Sequence, residues 1–177
     1  MLNPKGDSAM NECYFCQSIA GETKMGIIQE LHSENFIFAW DHAPATPGHA
    51  LIIPKRHVQF MRDLSRGERN ELLDCAVRLK EYVAATDLQE MYSWLLTRSE
   101  SDLFTEFMNA AIKKMPQFNR PPDAFNDGLN DGPAAGQTVP HFHWHVMPRW
   151  EGDVPDVIGG VRHIFPGMGN YKKGIQQ

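Results

Sequence analysis

The sequence predicts an α+β fold, an antiparallel sheet with helices packed on it. Three observations predict it. Two short apolar runs flank a Pro/Gly turn, a long window repeats its apolar residues at helical spacing, and a late segment alternates strictly between histidine and apolar residues.

The first apolar run is Asn35-Phe36-Ile37-Phe38-Ala39-Trp40, rich in aromatic and branched residues and therefore a strand. Asp41 to Gly48 holds two prolines and a glycine, which makes it a turn region. His49-Ala50-Leu51-Ile52-Ile53 is the next strand and stops at Pro54. A link this short suits antiparallel neighbours better than a crossover helix.

Ser65-x-x-Glu68 has the form of a capping box. The helix behind it places Leu72, Leu73, Ala76, Val77, Leu79 and Val83 on one apolar face, with Cys75 as a small packing residue. From about 87 to 122 the pattern is again helical. Leu88, Met91, Trp94 and Leu95 suggest a short amphipathic piece. Leu103, Phe104, Phe107, Met108, Ala111, Ile112 and Met115 line a second face, which Pro116 ends. Strand-like residues return at Ala124-Phe125, a turn follows at Leu129 to Pro133, and the last strong strand runs from Val139 to Met147. Beyond Arg149 the chain is Gly- and Pro-rich, an irregular tail over 150–177.

With 177 residues, 42% hydrophobic and 22% charged, the chain suits one soluble domain. A net charge of −5 and the lack of a basic stripe argue against nucleic-acid polymers as partners. No window is apolar enough to span a bilayer, and no apolar run follows a basic segment at the N-terminus. The expectation is a cytoplasmic protein. Three cysteines, two of them in Cys13-x-x-Cys16, do not make a disulfide framework. The pair reads as half of a metal site or as a redox pair.

His141, His143 and His145 lie two residues apart, so on a strand all three share a face while Phe142, Trp144 and Val146 share the other. Three readings are open on the residues alone: a polar sheet face, a metal site, or one nucleophilic imidazole with the others as donors. A metal held by all three is strained, because same-face neighbours are about 6.5–7 Å apart and N–metal bonds are about 2 Å long. The preceding loop, Asn130 to Thr138, is rich in small and hydrogen-bonding residues. It contains no P-loop lysine and suits an anion cradle.

The stretch Gly136-Gln137-Thr138-Val139-Pro140-His141-Phe142-His143-Trp144-His145-Val146-Met147 resembles the signature of the histidine triad superfamily. Pro47-Gly48-His49-Ala50-Leu51-Ile52-Ile53-Pro54 resembles its Gly-His strand. Cys13-Tyr14-Phe15-Cys16 resembles the cysteine pair of zinc-containing, bacterial-type members. Gly159-Gly160-Val161-Arg162 and Gly167-x-Gly169-Asn170-Tyr171 resemble the tail of some bacterial members.

The resemblance implies a five-stranded antiparallel sheet with helices, a homodimer, and transfer of a nucleotidyl group through a covalent nucleotidyl-histidine. It assigns the nucleophile to His143, a donor role to His145, and a supporting role to His49. Asp41 is assigned to the ribose hydroxyls, and Asn130, Gln137 and Thr138 to phosphate. It implies a structural zinc on Cys13, Cys16, His57 and His141, with His32 and His42 as rival ligands by spacing. The helical segment over about 87–122 departs from the family pattern as an insertion. Its apolar face needs a partner, either beside the active site or at a dimer interface. The function expected is hydrolysis of dinucleoside polyphosphates or related nucleotide conjugates at the α-phosphate. A nucleotidyltransferase or phosphorylase and a non-catalytic nucleotide-binding protein are the alternatives.

Overall fold

A computed structural model describes residues 13–99, 101–114 and 120–161. The expected helix stop at Pro116 and the tail motifs from Arg162 onward lie outside these residues.

Among the described residues, four α-helices and four strands follow in chain order. They are α1 (Tyr14–Ile19), β1 (Phe36–Trp40), β2 (Ala50–Pro54), α2 (Arg66–Ala85), α3 (Leu88–Arg98), α4 (Asp102–Lys114), β3 (Ala124–Gly128) and β4 (Trp144–Arg149). The sheet is antiparallel throughout, in the order β1-β2-β4-β3. Among the described residues, a fifth position is occupied only by a bridge between Ile27 and Ala39, backed by Ile28 N–H to Phe38 O and Trp40 N–H to Gly26 O.

Each face of the sheet has its own core. On one, Phe36, Phe38, Trp40, Ala50, Ile52, Phe142 and Val146 pack with Leu72, Ala76, Leu79 and Val83 of α2. On the other, Ala39, Leu51 and Ile53 pack with Cys13, Phe15 and Met25. The capping box forms as expected: Ser65 Oγ accepts from Glu68 N–H, and the Glu68 carboxylate accepts from Ser65 N–H at 2.6 Å. Leu73 and Val77 do not share the buried face; they are 60% and 56% exposed. The face buried is the 72/76/79/83 stripe, and residues one position on are rotated about 100° away from it.

The helical segment after α2 divides into α3 and α4. Asp87 caps α3 by accepting from Glu90 N–H. Leu88, Met91, Tyr92 and Leu95 of α3 and Met108 and Ala111 of α4 join the same core as α2 and the sheet. Leu103 and Phe107 of α4 stay exposed, at 58% and 43%.

The last strand starts later than its alternation suggests. Hydrogen-bonded pairing begins at Trp144, opposite Ile52. Pro54 has no N–H for the ladder, and its carbonyl is taken by His141 Nε2 at 2.9 Å. Phe142 N–H bonds instead to Val58 O. The alternation of faces still persists through 141–146, because Phe142 and Val146 enter the α2-side core while Phe15 meets both His141 and His143 edge-on.

Among the described residues, no helix is long and apolar enough to cross a membrane.

Candidate active site

The site grows from three adjacent backbones on the sheet face opposite α2. The end of β1 delivers Asp41, the start of β2 delivers His49, and the approach to β4 delivers His143 and His145. The turn between β1 and β2 is held at both ends: Asp41 N–H donates to His49 O and His49 N–H to Thr46 O. Cross-strand pairing of Leu51 with His145 sets the depth of His145.

Fixed donors assign the tautomers. His143 Nδ1 stands 2.8 Å from His141 O, so Nδ1 carries the proton and Nε2 keeps a lone pair. Ala45 N–H donates to His49 Nδ1, so His49 is protonated at Nε2 and donates to His145 Nδ1, 3.0 Å away. His145 then carries its proton on Nε2, a buried atom without a partner among the described residues. The rings of His143 and His145 are 4.9 Å apart, and those of His49 and His145 are 5.1 Å apart. His143, with a lone pair on Nε2, and His145, with a proton on Nε2, line one cavity.

Burial lowers the proton affinity of all three rings. Desolvation dominates at His49, His143 and His145, and pushes His145 down to about 4 with further repulsion from His49 and His143. The Asp41 carboxylate opposes the shift in each case. Its Oδ2 lies 3.4 Å from His49 Nδ1, while Oδ1 accepts from Ala43 N–H.

These groups line a cavity of about 460 Å³ together with Tyr14, Phe15, Met25, Trp40, His42, Leu51, Phe104, Thr138 and Val139. Asp41, His49, His143, His145 and Thr138 are thus brought together as expected. Asn130 and Gln137 are not among the lining residues. Asn130 lies against Gly136, inside the loop. Gln137 is buried, its Nε2 donating to Gln59 O at 2.9 Å. The Arg149 guanidinium holds Asp153 and Asn126.

Among the wall residues that sequence reasoning did not assign to the site, two lie against histidine rings. Phe15 lies edge-on to His143 with ring centres 5.2 Å apart. Phe104 comes from the inserted helix α4 and meets His42 edge-on at 5.3 Å. The sequence signal for each was an aromatic residue of unknown direction.

A second constellation borders the first. Donor atoms of Cys13, Cys16, His57 and His141 all lie within 4.8 Å of one another. His141 Nδ1 is 3.5 Å from both sulfurs, and His57 Nδ1 is 3.2 Å from Cys16 Sγ. Two ligands on a tetrahedral zinc, with bonds of about 2.3 Å to sulfur and 2.0–2.1 Å to nitrogen, would stand about 3.5 Å apart. His141 Nε2 is already committed to Pro54 O, which aims Nδ1 at the cysteines. The donor set and its spacing fit a closed Cys₂His₂ metal site. His42 is elsewhere, its Nε2 accepting from Gly26 N–H, and His32 is not in the cluster.

The family model described as HIT domain matches residues 27–152. The chain belongs to the HIT domain family. An uncharacterised HIT-like protein of Mycobacterium tuberculosis is 29% identical over 149 residues, covering 84% of this chain and 79% of that protein. The AP-4-A phosphorylase of the same species is 31% identical over 124 residues, 68% of this chain but 47% of the enzyme. The asymmetrical bis(5'-nucleosyl)-tetraphosphatase of Schizosaccharomyces pombe is 28% identical, over 62% of this chain and 42% of that enzyme. The HIT chain therefore spans less than half the length of either enzyme. Among solved structures, a Zn-bound histidine triad family protein from Mycobacterium smegmatis aligns with a TM-score of 0.51 at 27% identity, over 83% of this chain and 86% of that one.

Proposed function

We propose that this HIT protein cleaves nucleotide conjugates, dinucleoside polyphosphates among them, at the α-phosphate through a nucleotidyl group carried on His143 Nε2. The single observation behind this is the bond from His143 Nδ1 to His141 O. It leaves Nε2 unprotonated and backed by a carbonyl that stabilises the positive charge the ring acquires on bonding to phosphorus.

In the first step the His143 Nε2 lone pair forms a bond to the α-phosphorus. The bond to the leaving-group oxygen breaks, and that oxygen departs as an anion, held by the hydrogen bond that His145 Nε2–H donates. In the second step water attacks phosphorus, the P–N bond breaks with its electron pair returning to His143 Nε2, and the water's proton is released to solvent. His49 keeps His145 in the tautomer that donates from Nε2, and the Asp41 carboxylate lowers the cost of the positive charge that His143 carries in the intermediate. Thr138 lies at the cavity wall as a hydroxyl donor to the phosphate, and Asp41 doubles as acceptor for the ribose hydroxyls. Asn130 and Gln137 act by holding the loop rather than by touching phosphate.

Cys13, Cys16, His57 and His141 would hold a structural zinc. When bound, the ion supplies a tetrahedral crosslink between α1 and the segment leading into β4. A homodimer is part of the same proposal, and sedimentation velocity tests it.

The functional test is incubation with diadenosine tetraphosphate, with and without added phosphate. AMP plus ATP marks the hydrolase. ADP plus ATP appearing only with phosphate marks a phosphorylase, the reading favoured by the likeness to the Mycobacterium tuberculosis enzyme. A second substrate, adenosine 5'-phosphoramidate, covers small leaving groups. No turnover of either by the wild-type chain rejects the proposal, as does full activity in His143→Ala.

A further inference from the structure

The inserted helices are built into the site. Tyr92 of α3 is buried, and its hydroxyl accepts from Gly48 N–H at 3.1 Å, next to His49. Leu95 of α3 packs where Gly26 has no side chain; a Cβ there would lie 2.6 Å from Leu95 Cδ2. Gly26 N–H in turn donates to His42 Nε2 at 3.1 Å. This bond fixes the proton of neutral His42 on Nδ1, and burial lowers the ring's proton affinity, with Asp41 opposing. Phe104 of α4 then closes against the His42 ring and lines the cavity.

The position of this pair along the cavity is informative. His42 directly follows Asp41, whose carboxylate reaches His49, whose ring bonds to His145. Phe104 meets the His42 ring, so the pair lies beside the residue assigned to the ribose, and both line the same cavity as His143. A nucleotide with its phosphorus at His143 and its ribose at Asp41 presents its base to this wall. An aromatic edge and an imidazole N–H donor are what a flat heteroaromatic ring with acceptor nitrogens can use.

Resting on the nucleotide reading of the site, we infer that Phe104, supplied by the inserted helix and seated against His42, grips the base of the bound nucleotide. The insertion is thus a fixed specificity wall. Losing an apolar contact of this kind weakens binding by about 10-fold or more.

The test compares AMP with ribose 5-phosphate, which keeps the sugar and phosphate and lacks the base. Isothermal titration of the full chain is expected to show tighter binding of AMP. Phe104→Ala weakens AMP about 10-fold, leaves ribose 5-phosphate unchanged, and raises KM for the nucleotide substrate with kcat within about twofold. Phe104→Leu keeps the helix packed and shows an intermediate loss, while Phe107→Ala, on the outer side of the same helix, changes neither ligand. Equal effects on both ligands, or no effect on either, overturn the inference. So does a folded Phe104→Leu with wild-type affinity for AMP. A wild-type chain that binds neither ligand overturns the nucleotide reading itself, which separates the two failures.

Discussion

His49 Nε2 donates to His145 Nδ1 across 3.0 Å, and both rings are largely shut off from solvent. The two histidines therefore act as one unit. His145→Ala removes the donor and is expected to lower kcat about 10²–10⁴-fold. His49→Ala leaves the donor with an unfixed tautomer and costs less. The double variant is expected to be no worse than His145→Ala alone, since the two losses share a cause. Steady-state kinetics on the four proteins check this; additive losses contradict it.

The same burial sets the acid limb of activity. His145 is pushed down to about 4 by desolvation, with repulsion from His49 and His143 and a weaker opposing pull from Asp41. His49 is lowered as well, with desolvation first. Protonating the pair destroys the acceptor at His145 Nδ1. Because the folded-state values lie below the ordinary 6.5, activity is expected to persist through pH 6 and to fall only towards 4. A profile of kcat/KM against pH with its acid midpoint at or above 6.5 counts against this.

The parts of the site legible in the sequence are those written in local patterns. Alternation placed His141, His143 and His145 on one face, a consequence of the two-residue period of strands, which holds even where pairing has not begun. His49 was assigned to the site through the resemblance of the Gly-His strand. The cysteine and histidine cluster was legible only through the resemblance, since Cys13 and His141 are 128 residues apart. What escaped were contacts set by tertiary direction. Leu73 and Val77 fit a helical stripe yet face outward. Gln137 fits a phosphate loop yet bonds to Gln59 O. Phe104 read as one residue of an apolar helical face and Tyr92 was not singled out, and nothing local showed that Tyr92 would hold Gly48 and Phe104 would meet His42.

Removing a ligand of the Cys₂His₂ cluster is expected to loosen α1 from the sheet. Cys16→Ser or His57→Ala should lower Tm by about 5–10 °C, from the several kcal/mol a closed site contributes. Chelation of the wild type should give the same shift. Elemental analysis is expected to find about one zinc per chain in the wild type and less in either variant. Equal metal content and equal melting in all three would reject the assignment.

Glu68 links acid stability to the capping box. Arg56 grips its carboxylate with Nε and Nη2 at 2.6 and 2.7 Å, and the Ser65 backbone adds a third bond. The Arg56 bonds are the largest cause holding the carboxyl down to about 2, against desolvation. A depressed folded-state value means the stabilisation is complete above the ordinary 4.5 and is lost as pH falls from there through 2. Arg56 is half exposed, so solvent screens the pair, and Glu68→Gln is expected to cost about 1–2 kcal/mol at pH 7. Denaturant titration at pH 7 and pH 3 checks it: the difference between wild type and variant should shrink at the lower pH.

Gly48 precedes His49 with φ +73, in the left-handed region. A Cβ there would meet Leu88 Cδ2 and Pro148 Cγ at 3.1 Å and Val83 Cγ1 at 3.2 Å. Gly48→Ala therefore combines backbone strain with overpacking, expected to total about 2–4 kcal/mol. Gly152 separates the two causes. Its φ is +80, but a Cβ there meets nothing within 4 Å. Gly152→Ala should show the backbone cost alone, about 1 kcal/mol. Only Gly48→Ala should also lower kcat, because the peptide that shifts carries His49 and is held by Tyr92. Equal losses of stability in the two variants, with activity intact in both, would mean that the α3 packing at Gly48 does not position the histidine.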